Sequence, residues 1–168
     1  MAFNILVLLF PIVLAIHNLD EYARYEGFVS AYHPRLAAKP TTRPAIFWAA
    51  TALTVAAAVI CLAAFIWETP VLLVGTKVLI CALLLNAVSH CLLSLKRRRV
   101  LPGTRSACFI VLPYGVVALI VMRTSVGDSG AAIIRYALFG GVTIPLAVAV
   151  FLLIGYGIVR LRALVGSL

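Results

Sequence analysis

The sequence predicts an all-α protein, a polytopic bundle of about five transmembrane helices in a single domain covering residues 1–168. Three observations predict it. The composition is 64% hydrophobic and 11% charged, with mean hydropathy +1.15, whereas a soluble domain is usually about a quarter charged. The apolar residues gather into five segments close to the ~20 residues that a helix needs to cross the hydrocarbon core. The basic residues collect mainly between those segments, where they set topology.

The first segment runs over 3–19. No basic residue precedes Arg24, and Ala15-Ile16-His17 is a poor cleavage site, so the expectation is an uncleaved first transmembrane helix. The second, 46–67, is opened by Arg43-Pro44 and bracketed by Trp48 and Trp67 as interface anchors. Its many alanines favour close helix contacts. Thr69-Pro70 provides a cap and a first-turn proline for the third, 70–95. Pro102-Gly103-Thr104 breaks the chain and offers Thr104 as cap of the fourth, 106–122. Gly127-Asp128-Ser129-Gly130 reads as a turn before the fifth, 132–159. Pro11, Pro113 and Pro145 fall inside apolar segments, where membrane helices tolerate them as kinks. The stretch 20–45 is too polar to span. Glu21 to Phe28 is expected to lie along the interface with Tyr22, Tyr25 and Phe28 toward lipid, until Tyr32-His33-Pro34 breaks it.

Arg24, Arg35, Lys39, Arg43, Lys96-Arg97-Arg98-Arg99, Arg105, Arg160 and Arg162 all fall on one side of this arrangement, and only Arg123 and Arg135 on the other. The basic side is therefore expected to be cytoplasmic, with the N-terminus outside and the C-terminus inside. The first and third helices then run the same way, and their polar ends approach the same interface.

The net charge of +9 does not point to nucleic acid, because the charge sits in membrane loops. The expected partners are the lipid bilayer, with anionic head groups near Lys96–Arg99, and a membrane protein or second copy of the chain. Cys61, Cys81, Cys91 and Cys108 have no CxxC spacing and read as small buried hydrophobes. There is no Gly-rich phosphate loop, GxSxG or HExxH, so nucleotide-driven chemistry and the common soluble hydrolase classes lack support.

Charge is scarce, with five acidic residues and three histidines in the chain. His17, Asp20 and Glu21 sit at i, i+3 and i+4 and share a helix face, within about 6 Å along the axis. Asn86, His90 and Ser94 form a second polar stripe, expected in the same layer. His17, Asp20, Glu21 and His90 are candidate ligands of one divalent metal, zinc, iron or manganese. The same four with Asn86 are the candidate catalytic residues, a carboxylate near lipid being an effective general base. A di-iron site usually takes four carboxylates and two histidines, more than the basic side offers in Asp20, Glu21 and Glu26. The competing reading is a polar helix end and packing hydrogen bonds. Glu68 and Lys77 are expected to pair or snorkel at the outer end.

The chain resembles the HXXEE family of small bacterial multi-pass membrane proteins. The resemblance rests on His17-Asn18-Leu19-Asp20-Glu21-Tyr22, on Asn86-Ala87-Val88-Ser89-His90, and on Leu101-Pro102-Gly103-Thr104 followed by an apolar run with Pro113. Asp20 stands where the family's first glutamate is expected; it keeps the charge and shortens the reach by one methylene. The resemblance implies a multi-pass protein of the bacterial inner membrane whose histidine and acids are catalytic or metal-binding, and supplies no substrate. The expected function is a metal-dependent or acid–base enzyme, a hydrolase or transferase acting on a lipid-like amphiphile at the cytoplasmic interface. The alternative is a proton-coupled transporter component or a non-catalytic partner subunit.

Overall fold

The structure, a computed structural model, describes residues 1–24 and 41–165. It contains five long helices: α1 (Ala2–Ala23), α2 (Thr42–Trp67), α3 (Pro70–Arg97), α4 (Thr104–Val126) and α5 (Gly130–Val165). All five are long and apolar enough to cross a membrane, and the described residues include no strand. The protein is a multi-pass helical membrane protein. The expected interfacial helix beyond Arg24, the Tyr32-His33-Pro34 break, and Glu26, Arg35 and Lys39 lie outside the described residues.

Around the bundle the order is α1, α2, α5, α3, α4: α1 packs on α2 and α4, and α5 packs on α2 and α3. Lipid supplies no hydrophobic drive between helices, so close packing must hold them. Small residues allow it. A Cβ at Gly140 would lie 2.8 Å from the Ala82 backbone nitrogen, and one at Gly155 would collide with the Ala45 carbonyl. The remaining faces are apolar and exposed, as bilayer contact requires: Ile5, Ile12 and Leu19 on α1, and Ile134, Leu138, Val142 and Leu153 on α5.

The core is written as heptad-like stripes. On α1 the buried Phe3, Val7, Phe10, Leu14 and His17 follow steps of four and three, and the next step is Glu21. On α3 the stripe is Thr76, Ile80, Leu83, Ala87, His90 and Ser94. Such a seam faces its neighbours along its whole length. Both histidines therefore point inward for the same reason as the apolar residues before them. They lie about 9 and 10.5 Å from the ends of their helices at 1.5 Å per residue, so the two reach one layer.

Several boundaries differ from expectation. α1 continues to Ala23 instead of ending near 19, which puts His17, Asp20 and Glu21 within the helix. The Asp20–Arg24 ion pair at 3.2 Å spans its last turn. α5 extends to Val165, with the Arg162 guanidinium 4.6 Å from the Trp48 ring centroid. Gly103, not Thr104, caps α4, because its φ of +76° makes the turn. α4 widens into π-helix at Ala107–Val111 and again at Met122–Val126. Pro113 has no N–H to return to the preceding turn, which favours the first of these widenings.

Lys77 pairs with Asp128 at 2.7 Å, not with Glu68, which accepts a hydrogen bond from Asn4 at 3.0 Å. Tyr136 also donates to Asp128, at 3.2 Å. Lys77 is 7% exposed, so removing one partner strands a charge. Lys77→Met is expected to destabilise the protein by about 3 kcal/mol, with much of the loss recovered by adding Asp128→Leu. Thermal melts of both variants in detergent check this, and a Lys77→Met melt equal to wild type refutes it.

Candidate functional site

His17, near the C-terminal end of the α1 seam, is 1% exposed. Its Nδ1 lies 3.0 Å from Ser106 Oγ and its Nε2 lies 3.0 Å from the Asn86 side-chain amide nitrogen. The amide nitrogen donates, so Nε2 accepts and the ring proton belongs on Nδ1, where it donates to Ser106; the tautomer follows from these partners. Ser106 Oγ–H in turn faces Asp20 Oδ2 at 3.0 Å and the Gly103 carbonyl at 3.0 Å. The Ser106 backbone N–H also donates to Asp20 Oδ2, at 3.2 Å. Asp20 therefore acts on His17 through a hydroxyl, and its other oxygen holds Arg24.

Glu21 takes the opposite position. Its Oε1 lies 2.7 Å from His90 Nε2 and 3.4 Å from His17 Nε2. The two imidazoles meet edge to face with centroids 5.2 Å apart. His17, Glu21 and His90 each present one ligand atom, all within 4.8 Å of one another. His90 is 5% exposed, and its Nδ1 is buried without a hydrogen-bond partner among the described residues. The structure thus brings together four of the five expected residues, His17, Glu21, Asn86 and His90, and places Asp20 behind them. Asn86 holds His17 across the helix interface, not His90 on its own helix.

The loop between α3 and α4 closes the site. Leu101, Pro102, Gly103 and Thr104 are all buried. Leu101 N–H donates to Ser94 Oγ at 3.2 Å, and the Ser94 and Thr104 hydroxyls meet at 2.5 Å, pinning the loop to α3. A Cβ on Gly103 would sit 2.8 Å from Glu21 Cγ and 3.1 Å from both Glu21 Oε1 and His90 Cε1. Both the positive φ and the close approach require glycine here.

Sequence reasoning missed Ser106 and the inward role of Gly103. Ser106 opens an apolar run and reads as a boundary residue. The signals for Gly103 were its place in a Pro-Gly break and in the Leu101-Pro102-Gly103-Thr104 motif, and neither shows that it faces Glu21 and His90.

A fold of five apolar helices around a buried histidine–carboxylate cluster defines a class, the polytopic membrane proteins with a polar site built between helices. The chain belongs to the HXXEE family, described as proteins of unknown function with an HXXEE motif, which it matches over residues 8–118. That span includes every residue of the cluster and its closing loop, and ends before α5. No curated protein and no solved structure matches the chain.

Gly103→Ala is expected to lower stability by about 2 kcal/mol or more, from the positive φ and from overpacking against Glu21 and His90. A melting curve in detergent checks it; an unchanged midpoint would mean that the loop does not seat on the cluster. Ser106→Ala removes the hydroxyl between Asp20 and His17, and about 1–3 kcal/mol of stability is expected to go with it.

Proposed function

We propose that this protein is a membrane-embedded enzyme whose His17–Glu21–His90 cluster holds one divalent metal (zinc, iron or manganese). It acts hydrolytically on a lipid-like amphiphile at the cytoplasmic interface of a bacterial inner membrane. The observation that carries this reading is the convergence of two imidazole nitrogens and one carboxylate oxygen within 4.8 Å, from helices remote in sequence.

The donor set fits. Two histidines and one carboxylate with open positions are common ligands of catalytic zinc and of non-haem iron. His17 Nε2 and Glu21 Oε1 stand 3.4 Å apart, Glu21 Oε1 and His90 Nε2 2.7 Å, and all three donor atoms lie within 4.8 Å of one another, so small side-chain movements would let them hold one ion. The Asp20–Ser106–His17 chain matches the outer hydrogen bonds that fix a ligating imidazole's tautomer, leaving Nε2, which here accepts from Asn86, as the nitrogen that would bind a metal. A metal bound there would supply Lewis acidity and make water acidic enough to act near neutral pH.

The chain's own residues take the remaining roles. Glu21 completes the donor set. Asp20 is the proton acceptor behind His17, reached through Ser106. Asn86, which donates to His17 Nε2 in this structure, would have to release that nitrogen to a metal and would then be free to face the substrate. Gly103 and Leu101 keep bulk water out at the basic end. A cleft of about 430 Å³ lined by Asn86, Ser89, His90, Leu92, Leu93 and Lys96 supports an amphiphilic substrate, because it joins site residues to leucines and to a cation suited to an anionic head group.

A second reading, a proton relay in a transport component, is favoured by one observation, the direct 2.7 Å contact between Glu21 and His90.

Gentle purification in detergent without chelator is expected to give about one metal per chain by mass spectrometry. His17→Ala and His90→Ala are expected to lose it while keeping helical circular dichroism. Asp20→Asn should keep the metal but weaken its affinity by roughly 10–100-fold. Wild-type protein without metal would overturn the metal reading, and proton flux in proteoliposomes would then test the relay. A reporter fused after α5 is expected to be active on the cytoplasmic side.

A further inference from the structure

Cys91 and Cys108 do not take part in the cluster, yet they lie beside it. Their sulphurs are 2.8 Å apart, across the boundary between α3 and the widened turn of α4. A disulfide bond is about 2.05 Å long, so closure needs a movement of less than about 1 Å. Both thiols are partly exposed, whereas Cys61 and Cys81 are buried. Their neighbours Leu92 and Phe109 are 61% and 80% exposed on the apolar surface. An oxidant dissolved in the lipid therefore has access to this pair.

We propose that Cys91 and Cys108 are a redox site, a thiol pair that a membrane-soluble quinone oxidises to a disulfide linking α3 to α4. Each thiol gives up its hydrogen, one S–S bond forms, and the quinone takes up the two electrons and two protons to become the hydroquinone. A dithiol reductant reverses the step. The bond falls where it would affect the site most directly. Cys91 follows His90, Cys108 lies two residues after Ser106, and the chain between the two cysteines includes Gly103 and the loop over Glu21. Oxidation fixes both ends of that loop. The pair's geometry does not depend on a metal in the cluster, so this inference stands apart from the proposed function. A widened helical turn at Cys108 is in keeping with it, because such turns recur at functional positions.

The test uses the full chain in lipid nanodiscs. The protein is incubated with a short-chain benzoquinone, or separately with hydrogen peroxide, then denatured and alkylated, and its intact mass is measured. The expected result is that two of the four thiols escape alkylation after quinone treatment, that peptide mapping places the link between Cys91 and Cys108, and that dithiothreitol restores all four. Cys91→Ser and Cys108→Ser, both near-isosteric, should each abolish protection while keeping the wild-type circular dichroism. The oxidised protein should melt about 5 °C or more above the reduced form, because the link constrains the unfolded chain. Four alkylated thiols after both oxidants, or a link mapping to Cys61 or Cys81, would overturn the proposal. Closure by peroxide but not by quinone would overturn the assignment of a membrane-soluble oxidant.

Discussion

A polar group inside a bilayer has to find its partner within the protein, because hydrocarbon offers none. His17 meets that constraint at both nitrogens. Ser106 takes one and Asn86 the other, and each partner comes from a different helix. Three helices are therefore joined at one side chain. Asp20, Gly103 and Arg24 are held in the same network through Ser106 and Asp20. Losing the His17 ring would leave the Ser106 hydroxyl and the Asn86 amide without these partners.

The packing serves the same end. Heptad-like seams on α1 and α3 keep their buried faces turned inward from one end of the bundle to the other. The histidines occupy seam positions that leucine or alanine fill elsewhere. Their burial follows from the register, and their pairing from the equal depth of the two positions. Neither helix has an unusual conformation here; strain is confined to the connection. Gly103 and Arg98 take up left-handed backbone, and the short link between α3 and α4 folds inward over Glu21. The cluster is thus formed by regular helices and covered by an irregular loop that only glycine allows to approach so closely.

Much of this was legible in the sequence. Five helices followed from run length, and the shared layer of His17 and His90 followed from equal depth in parallel helices. The i, i+3, i+4 spacing correctly put both carboxylates on the histidine's side of α1. Spacing does not reveal which of two adjacent acids faces a partner, because neighbouring residues differ by about 100° around the axis and the choice depends on what lies opposite. What lies opposite is Ser106 for Asp20 and His90 for Glu21. Thr104 illustrates the same limit. A threonine after Pro-Gly reads as a cap, yet its hydroxyl bonds Ser94 while glycine makes the turn. Lys77 finds Asp128 in a distant turn, a pairing set by the packing of α3 against α5.

The substitution of aspartate in the family motif is understandable on these terms. It falls at position 20, where the carboxylate works through a hydroxyl and a backbone N–H at the start of α4. A hydroxyl rotates to meet its acceptor, so that position tolerates a side chain one methylene shorter. Position 21 has no such freedom. Its carboxylate reaches two imidazoles at 2.7 and 3.4 Å, and its Cγ leaves no room for a Cβ at Gly103. A shorter acid at 21 would withdraw from both rings and leave a buried imidazole unpartnered. The two acids of the motif are adjacent in sequence but answer to different constraints, and the one that meets both histidines is the one kept as glutamate.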